Sequence, residues 1–313
     1  MANRFLIAFG AGLAAGVLFL LPAKGMMAGV WLSILAPMPL MIAVIAYGSL
    51  AGLLAAFVGA LVCVAMQPFL SLVFLVSTAF PALLLGWLAG HPFAHERRLG
   101  PGFLMAAVAG LAIAAVWGML AFVAVVHGDM DAAATQMASG LRDMLQRMKG
   151  IEEGAAIMPL DDFVQWLVAG IPAIMAFWSV LVMSLNLWLA ARVSMISGLL
   201  NREWPDLPTH LELPRVALGA FVLAILACAL PGASRVLGSS AAVALGVAFS
   251  FQGLAAIHRV TRGLAVRSGV LWGLYVLMFF LFPLPLFVAA GVGVADNVKP
   301  LRRSPSTPTS NNP

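Results

Sequence analysis

Two histidines, His91 and His95, stand four residues apart, with Glu96 beside the second. On a helix that spacing would put both imidazoles on one face, where they could share a metal ion. Pro92 falls between them, no third ligand stands near, and the order is not His-Glu-x-x-His, so neither a metal site nor a zinc-protease site is expected. A second set of polar residues lies inside apolar stretches, where each must find a partner or line a cavity. Gln67 precedes Pro68, with Ser71, Ser77 and Thr78 after it; Gln165 and Trp166 open a later stretch; Asn186 and Gln252 lie deeper in theirs. Ser and Thr can bond back to their own helix, Asn and Gln can bond between helices, and a Trp at a stretch's end can anchor at the membrane interface. No nucleophile stands in a recognisable catalytic context and no Gly-rich phosphate loop is present, so no catalytic residue and no cofactor is assigned. No carboxylate lies in the first eight apolar stretches, which counts against a proton-coupled carrier; Asp296, at the end of the ninth, is the nearest candidate. Glu152, Glu153, Asp161 and Asp162 read as solvated loop and helix cap, which gives an enzyme acting on lipid-linked substrates little to work with.

The elements that must hold these residues are set by composition. Of 313 residues, 63% are hydrophobic and 9% charged, far too few polar groups for a soluble surface. Apolar runs recur near the length of about 20 residues that crosses a hydrocarbon core, and they are continuous rather than alternating. They cover Phe5–Leu21, Ala28–Ala46, Ser49–Met66, Phe69–Gly90, Gly102–Val126, Phe163–Ala190, Pro214–Leu230, Ser240–Ile257 and Gly269–Val294. The N-terminal run has the look of a signal peptide, but the next run follows within a few residues, so a retained first helix is expected. Cys63 and Cys228 both sit in apolar runs and read as packing residues. Between Gly128 and Asp162, Met137, Leu141, Met144, Leu145, Met148 and Ile151 recur at helical spacing, as in a helix lying at the interface or covering a cavity mouth; Asp143 and Arg147 can pair along it. The end, SPSTPTSNNP, has the composition of a disordered tail.

Orientation follows from the Lys and Arg between the runs. With the N-terminus inside, Arg4, Arg97, Arg98, Arg192, Arg202, Arg215, Arg259, Arg262 and Arg267 fall inside, against Lys24, Arg142, Arg147, Lys149 and Arg235 outside. Nine crossings would then put Lys299, Arg302 and Arg303 outside, so either the tail is outside or one run does not cross; Pro283 and Pro285 break the last run, and the seventh is short. The net charge of +5 carries no basic patch interleaved with aromatics, so nucleic acid is not an expected partner.

Small residues make stripes at i, i+4, i+8: Ala8, Gly12 and Gly16; Gly48, Gly52, Ala56 and Ala60; Ala106, Gly110, Ala114 and Gly118. Such stripes let helices approach closely, within the chain or against a partner. Two C-terminal stretches, FQGLAAIHRVTRG and GVGVADNVKPLRR, resemble the signature of the YybS-like family of predicted bacterial membrane proteins, in Gln252-Gly253 and in Gly291, Asp296 and Arg302. The first six spans resemble the S component of energy-coupling factor transporters in layout: a small-residue stripe on the first helix, a Pro-bounded second, a turn at Tyr47-Gly48 into a Gly-rich third, and a Pro-containing fourth. That resemblance implies a stripe (Ala8, Gly12, Gly16) that docks a transmembrane coupling subunit and a ligand taken from the outer side. The chain departs from it in its additional C-terminal spans and in having no vitamin-binding motif.

The expectation is an all-α, polytopic integral membrane helical bundle of eight or nine transmembrane helices in a bacterial inner membrane, N-terminus cytoplasmic. Residues 1–192 would form a six-span S-component-like core with the external connection 128–162, residues 193–295 a C-terminal extension, and residues 296–313 a disordered tail. The function expected is binding of a small molecule for uptake, at Gln67, Ser71, Gln165 and Trp166 under a lid formed by the connection, with energy from a coupling subunit and cytoplasmic ATPases. The alternative is a non-catalytic membrane scaffold or assembly factor.

Overall fold

A backbone crossing lipid has no water to satisfy its N–H and C=O groups, so each apolar stretch must close its hydrogen bonds within itself. The computed structural model describes residues 2–25, 27–90, 100–127, 130–147, 159–200 and 206–301, and every regular element among them is helical. The N-terminal half runs α1 (Ala2–Leu20), α2 (Met27–Ser33), α3 (Pro37–Tyr47), α4 (Ser49–Met66), α5 (Pro68–Phe74) and α6 (Phe80–Gly90). Then come α7 (Pro101–His127), α8 (Met130–Arg147) and α9 (Leu160–Ile196). The C-terminal part holds α10 (Leu207–His210), α11 (Arg215–Cys228), α12 (Ala233–Val260), α13 (Arg267–Phe280) and α14 (Leu284–Val298).

Among the described residues, seven stretches are long and apolar enough to cross a bilayer: Arg4–Ala23, Met27–Tyr47, Ser49–Met66, Pro68–Gly90, Pro101–Val123, Leu160–Ile196 and Ala233–Val260. Proline explains the breaks within them. Pro37 and Pro68 open helices, where a missing N–H costs nothing. A wider π turn, Leu75–Ala79, precedes Pro81, whose ring nitrogen cannot bond to the turn before it. The run expected over Gly269–Val294 is two helices, α13 and α14, parted at Leu281–Pro283. With 14, 14 and 15 residues, α11, α13 and α14 are about 21–22 Å long at 1.5 Å per residue, short of a hydrocarbon core of about 30 Å.

Small residues set the closest contacts. A Cβ on Gly12 would lie 2.2 Å from the Ala55 carbonyl oxygen of α4, and one on Gly16 would lie 2.9 Å from that of Gly59. Ala8 is buried too. The stripe on α1 is therefore an internal seam against α4, and the face expected to dock a coupling subunit is already covered by the chain itself. At the other end of the sequence, Gly253 of α12 meets the Ala289 carbonyl of α14 and Gly293 meets that of Phe249, so these two backbones touch.

α12 is the most enclosed of the seven stretches and packs against α7, α9, α11 and α14. Contacts along it fix direction. Trp117, well along α7, donates to Ser240 near the start of α12 at 3.1 Å, while the Ser184 hydroxyl of α9 lies 3.8 Å from the Met105 sulfur early in α7. Ser250 donates to the Leu286 carbonyl, and nine residues on Arg259 pairs with Asp296, so α12 and α14 run side by side in one direction. Hence α9, α12 and α14 finish, and α7 and α11 begin, at the same end of the bundle. Arg192, Arg215, Arg259, Arg262, Arg267 and Lys299 gather at that end, against Arg142 and Arg235 at the other among the described side chains. α14 continues to Val298, and Asp296 is buried, so the polar tail cannot begin at residue 296 as the sequence suggests.

Candidate functional site

The basic end is built around a short segment, Asp206–Leu213, that carries α10 and is strapped across the ends of α7 and α12. Gly102, in the first turn of α7, lets the Glu212 backbone lie where a Cβ would stand. Arg262, just past α12, donates to both Asp206 carboxylate oxygens, at 2.9 and 2.7 Å, and to the Thr209 hydroxyl at 3.2 Å. The Thr209 hydroxyl, bonded to Asp206, and then Arg262 hold that carboxyl below its ordinary range. Arg259 reaches the Pro208 carbonyl at 3.1 Å.

A buried polar cluster ties the strap to α12 and α14. Asp296 accepts from Arg259 at 2.5 Å, from the Leu301 amide at 3.1 Å and from Gln252 at 3.2 Å. Gln252 in turn accepts from the Leu213 amide at 3.0 Å, and Asn297 donates to the Leu213 carbonyl at 2.7 Å. Asp296 is well satisfied by its three donors, whereas the Arg259 Nε and the Asn297 Oδ1 are buried without a hydrogen-bond partner, so the pair rests chiefly on the bonds to Asp296. The cluster joins strap, α12 and α14, and Asp296 is not among the residues lining the apolar cavity between α7, α9 and α12.

Above the strap lies an apolar cavity of about 440 Å³, within the range of small-molecule sites. Leu104, Met105 and Val108 of α7, Leu181, Leu185 and Trp188 of α9, and Phe251 of α12 line it, with Leu207 and Leu211 of the strap at its base. Ser184 is its one hydroxyl, and that group already donates to the Val180 carbonyl at 2.6 Å. Such a lining selects by shape and apolar contact. Among the described residues no group of His, Cys, Asp and Glu is placed to hold a metal ion.

The residues expected to bind a ligand are elsewhere. Gln67 is exposed at the start of α5 and Ser71 is buried one turn on; Gln165 and Trp166 are exposed in the first turns of α9. None lines the cavity, and α5 and α9 share no extensive contact, so the four do not converge. The amphipathic stretch forms α8, tied to α9 by an Arg142–Asp161 ion pair at the end away from the cavity, so it does not cover this mouth. Its Met148, Lys149 and Ile151, the Asp143–Arg147 pairing, and His91, His95 and Glu96 lie outside the described residues. Asn186 is buried and bonds to the Ile34 carbonyl, in the break between α2 and α3, at 2.7 Å.

The C-terminal residues singled out in the sequence fare differently. Gln252 and Asp296 meet, and Gly253 lies in the α12–α14 contact. Gly293, not Gly291, faces Gly253, and Arg302 lies outside the described residues. Sequence reasoning treated Arg259 only as an orienting charge, though its position seven residues, two helical turns, after Gln252 puts both on one face. No curated protein and no solved structure matches the chain. Residues 13–297, which take in the cavity and every side chain of the buried cluster, match the family described as "Predicted membrane protein (DUF2232)", and the chain belongs to that family.

Proposed function

We propose that the protein is a multi-pass bacterial inner-membrane protein that binds a small, largely apolar molecule in the cavity between α7, α9 and α12, as the binding step of an uptake system energised by a separate ATPase module. The cavity carries this reading: it is large enough for a small molecule, and apolar apart from one satisfied hydroxyl. No acid or base lines it and its one hydroxyl is engaged by the Val180 carbonyl, which supports binding over catalysis. No nucleotide-binding motif stands in the sequence, which supports a separate ATPase module as the source of energy for uptake. The excess of Arg at one end supports a cytoplasmic placement of that end.

Native mass spectrometry of protein purified in mild detergent tests the binding step. A retained small molecule is expected, and Leu104→Trp or Leu181→Trp, which fill the cavity, should release it. Co-purification tests the coupling: ATPase subunits should accompany the protein, and their absence would remove the uptake part while leaving binding intact. The reading of a non-catalytic scaffold draws on a different observation, the thorough cross-linking of strap, α12 and α14 by buried polar groups. A homo-oligomer free of any retained molecule, unchanged by either Trp substitution, would favour it.

A further inference from the structure

We propose that the cavity's occupant is a membrane-borne amphiphile with an anionic head, whose apolar chain enters sideways from the bilayer rather than from water. The inference rests on the cavity being the binding site. Its back wall is closed: Met105 is 8% exposed and Val108 1%. Its flank is open: Leu185 and Trp188 line it yet are 44% and 45% exposed on the outer side of α9, where a spanning helix faces lipid. At the end toward water Leu207 and Leu211 line it, on a strap pinned by Arg259 and Arg262. A solute from water would have to displace that strap, whereas a lipid chain meets only side chains of its own polarity.

The depth agrees. The cavity runs along α7 from Pro101, its first residue, to Val108, about 10 Å at 1.5 Å per residue, within the leaflet on the basic end. Arg192 lies one turn beyond Trp188 on the same side of α9 and is exposed, at the level where the head of an amphiphile seated in the cavity would lie. A guanidinium there matches a phosphate or other anionic head.

The test uses full-length protein in vesicles of phosphatidylethanolamine and phosphatidylglycerol, doped with phosphatidylglycerol carrying a diazirine in one acyl chain. After irradiation, adducts are mapped by peptide mass spectrometry. Leu185 and Trp188 face lipid and should be labelled in any case, which confirms that the protein is inserted. Adducts on Met105 and Val108 are the result expected of a chain inside the cavity, and Leu104→Trp should abolish them while Leu185 labelling persists. Labelling confined to Leu185 and Trp188 in the wild-type protein would overturn the proposal. Arg192→Gln should lower cavity labelling severalfold with the phosphatidylglycerol probe and leave a phosphatidylcholine probe unaffected; equal loss with both would overturn the anionic head. A retained water-soluble compound in native mass spectra, with Met105 and Val108 unlabelled, would leave the binding reading standing and overturn this one alone.

Discussion

Asp296 takes none of its three hydrogen bonds from its own helix; the donors are Arg259 and Gln252 of α12 and the Leu301 amide beyond α14. Removing it strands Arg259, whose side chain is only 9% exposed. Asp296→Ala should therefore destabilise the protein by about 3–5 kcal/mol, the range for breaking one side of a buried pair. The double variant Arg259→Met/Asp296→Leu should recover most of that loss, because an apolar pair leaves no charge uncompensated. Thermal unfolding in detergent compares them, and a double variant no better than the single would show that the other bonds to Asp296 carry the stability. The Asp206–Arg262 pair at the surface behaves otherwise, since both side chains are more than two-fifths exposed. The carboxyl's folded-state pKa is depressed, so its contribution is complete above the unfolded value of about 3.9 and is lost as pH falls through the folded value. Asp206→Asn should cost at most about 1 kcal/mol at neutral pH, and the difference from wild type should vanish in strong acid. A gap that widens on acidification would contradict the sign.

At the scale of elements, Gly12 tests what the first helix packs against. Its place for a Cβ is taken by the Ala55 carbonyl and the Val58 side chain of α4. Gly12→Leu should force α1 off α4 and cost about 1–3 kcal/mol or more, read as a lower melting temperature and aggregation. Loss of a bound partner with melting unchanged would return the stripe to a docking role. The sequence shows that some helix approaches closely here, but the spacing does not say which. The stripe on α7 has the same spacing, yet a Cβ on Gly110 or Gly118 would meet nothing within 4 Å. The same limit explains the candidate site. Helix positions were readable from apolar run length and proline, and Gln252 and Asp296 stood out as polar groups in apolar surroundings. The cavity was invisible because its lining is Leu, Met, Val, Trp and Phe, indistinguishable in one dimension from core or lipid-facing residues. Gln67 and Gln165 drew attention by polarity, and polarity at a helix end is as readily met by exposure.

For the whole molecule, the side of the C-terminus turns on the α13–α14 hairpin. Read as one span, the final run would leave Lys299 opposite the arginine-rich end. The structure returns it: Asp296 lies against Arg259, and the Leu301 amide folds back onto Asp296. The hairpin's tip, Phe282, packs edge-on against Phe177 near the middle of α9, with ring centres 5.8 Å apart. With Arg267 and Lys299 at the same end of the bundle, the two helices joined there are expected to enter and return rather than cross. The short α11 must still carry the chain from the end where α9 finishes to the end where α12 begins. The expected topology is therefore eight crossings followed by a re-entrant hairpin, which puts Lys299 on the same side as Arg192 and Arg259; the excess of Arg there predicts that this side is cytoplasmic. Single cysteines at Ser197, Lys299, Ser139 and Arg235, with Cys63 and Cys228 replaced by Ala, can be probed with a membrane-impermeant maleimide in vesicles of both orientations. Ser197→Cys and Lys299→Cys should react from the cytoplasmic side, and Ser139→Cys and Arg235→Cys from the other. Should Lys299→Cys react together with Arg235→Cys, the hairpin crosses as a ninth span. The Arg259–Asp296 pair would then have to break in the membrane, leaving two buried charges without partners, an outcome the Asp296→Ala stability measurement would expose independently.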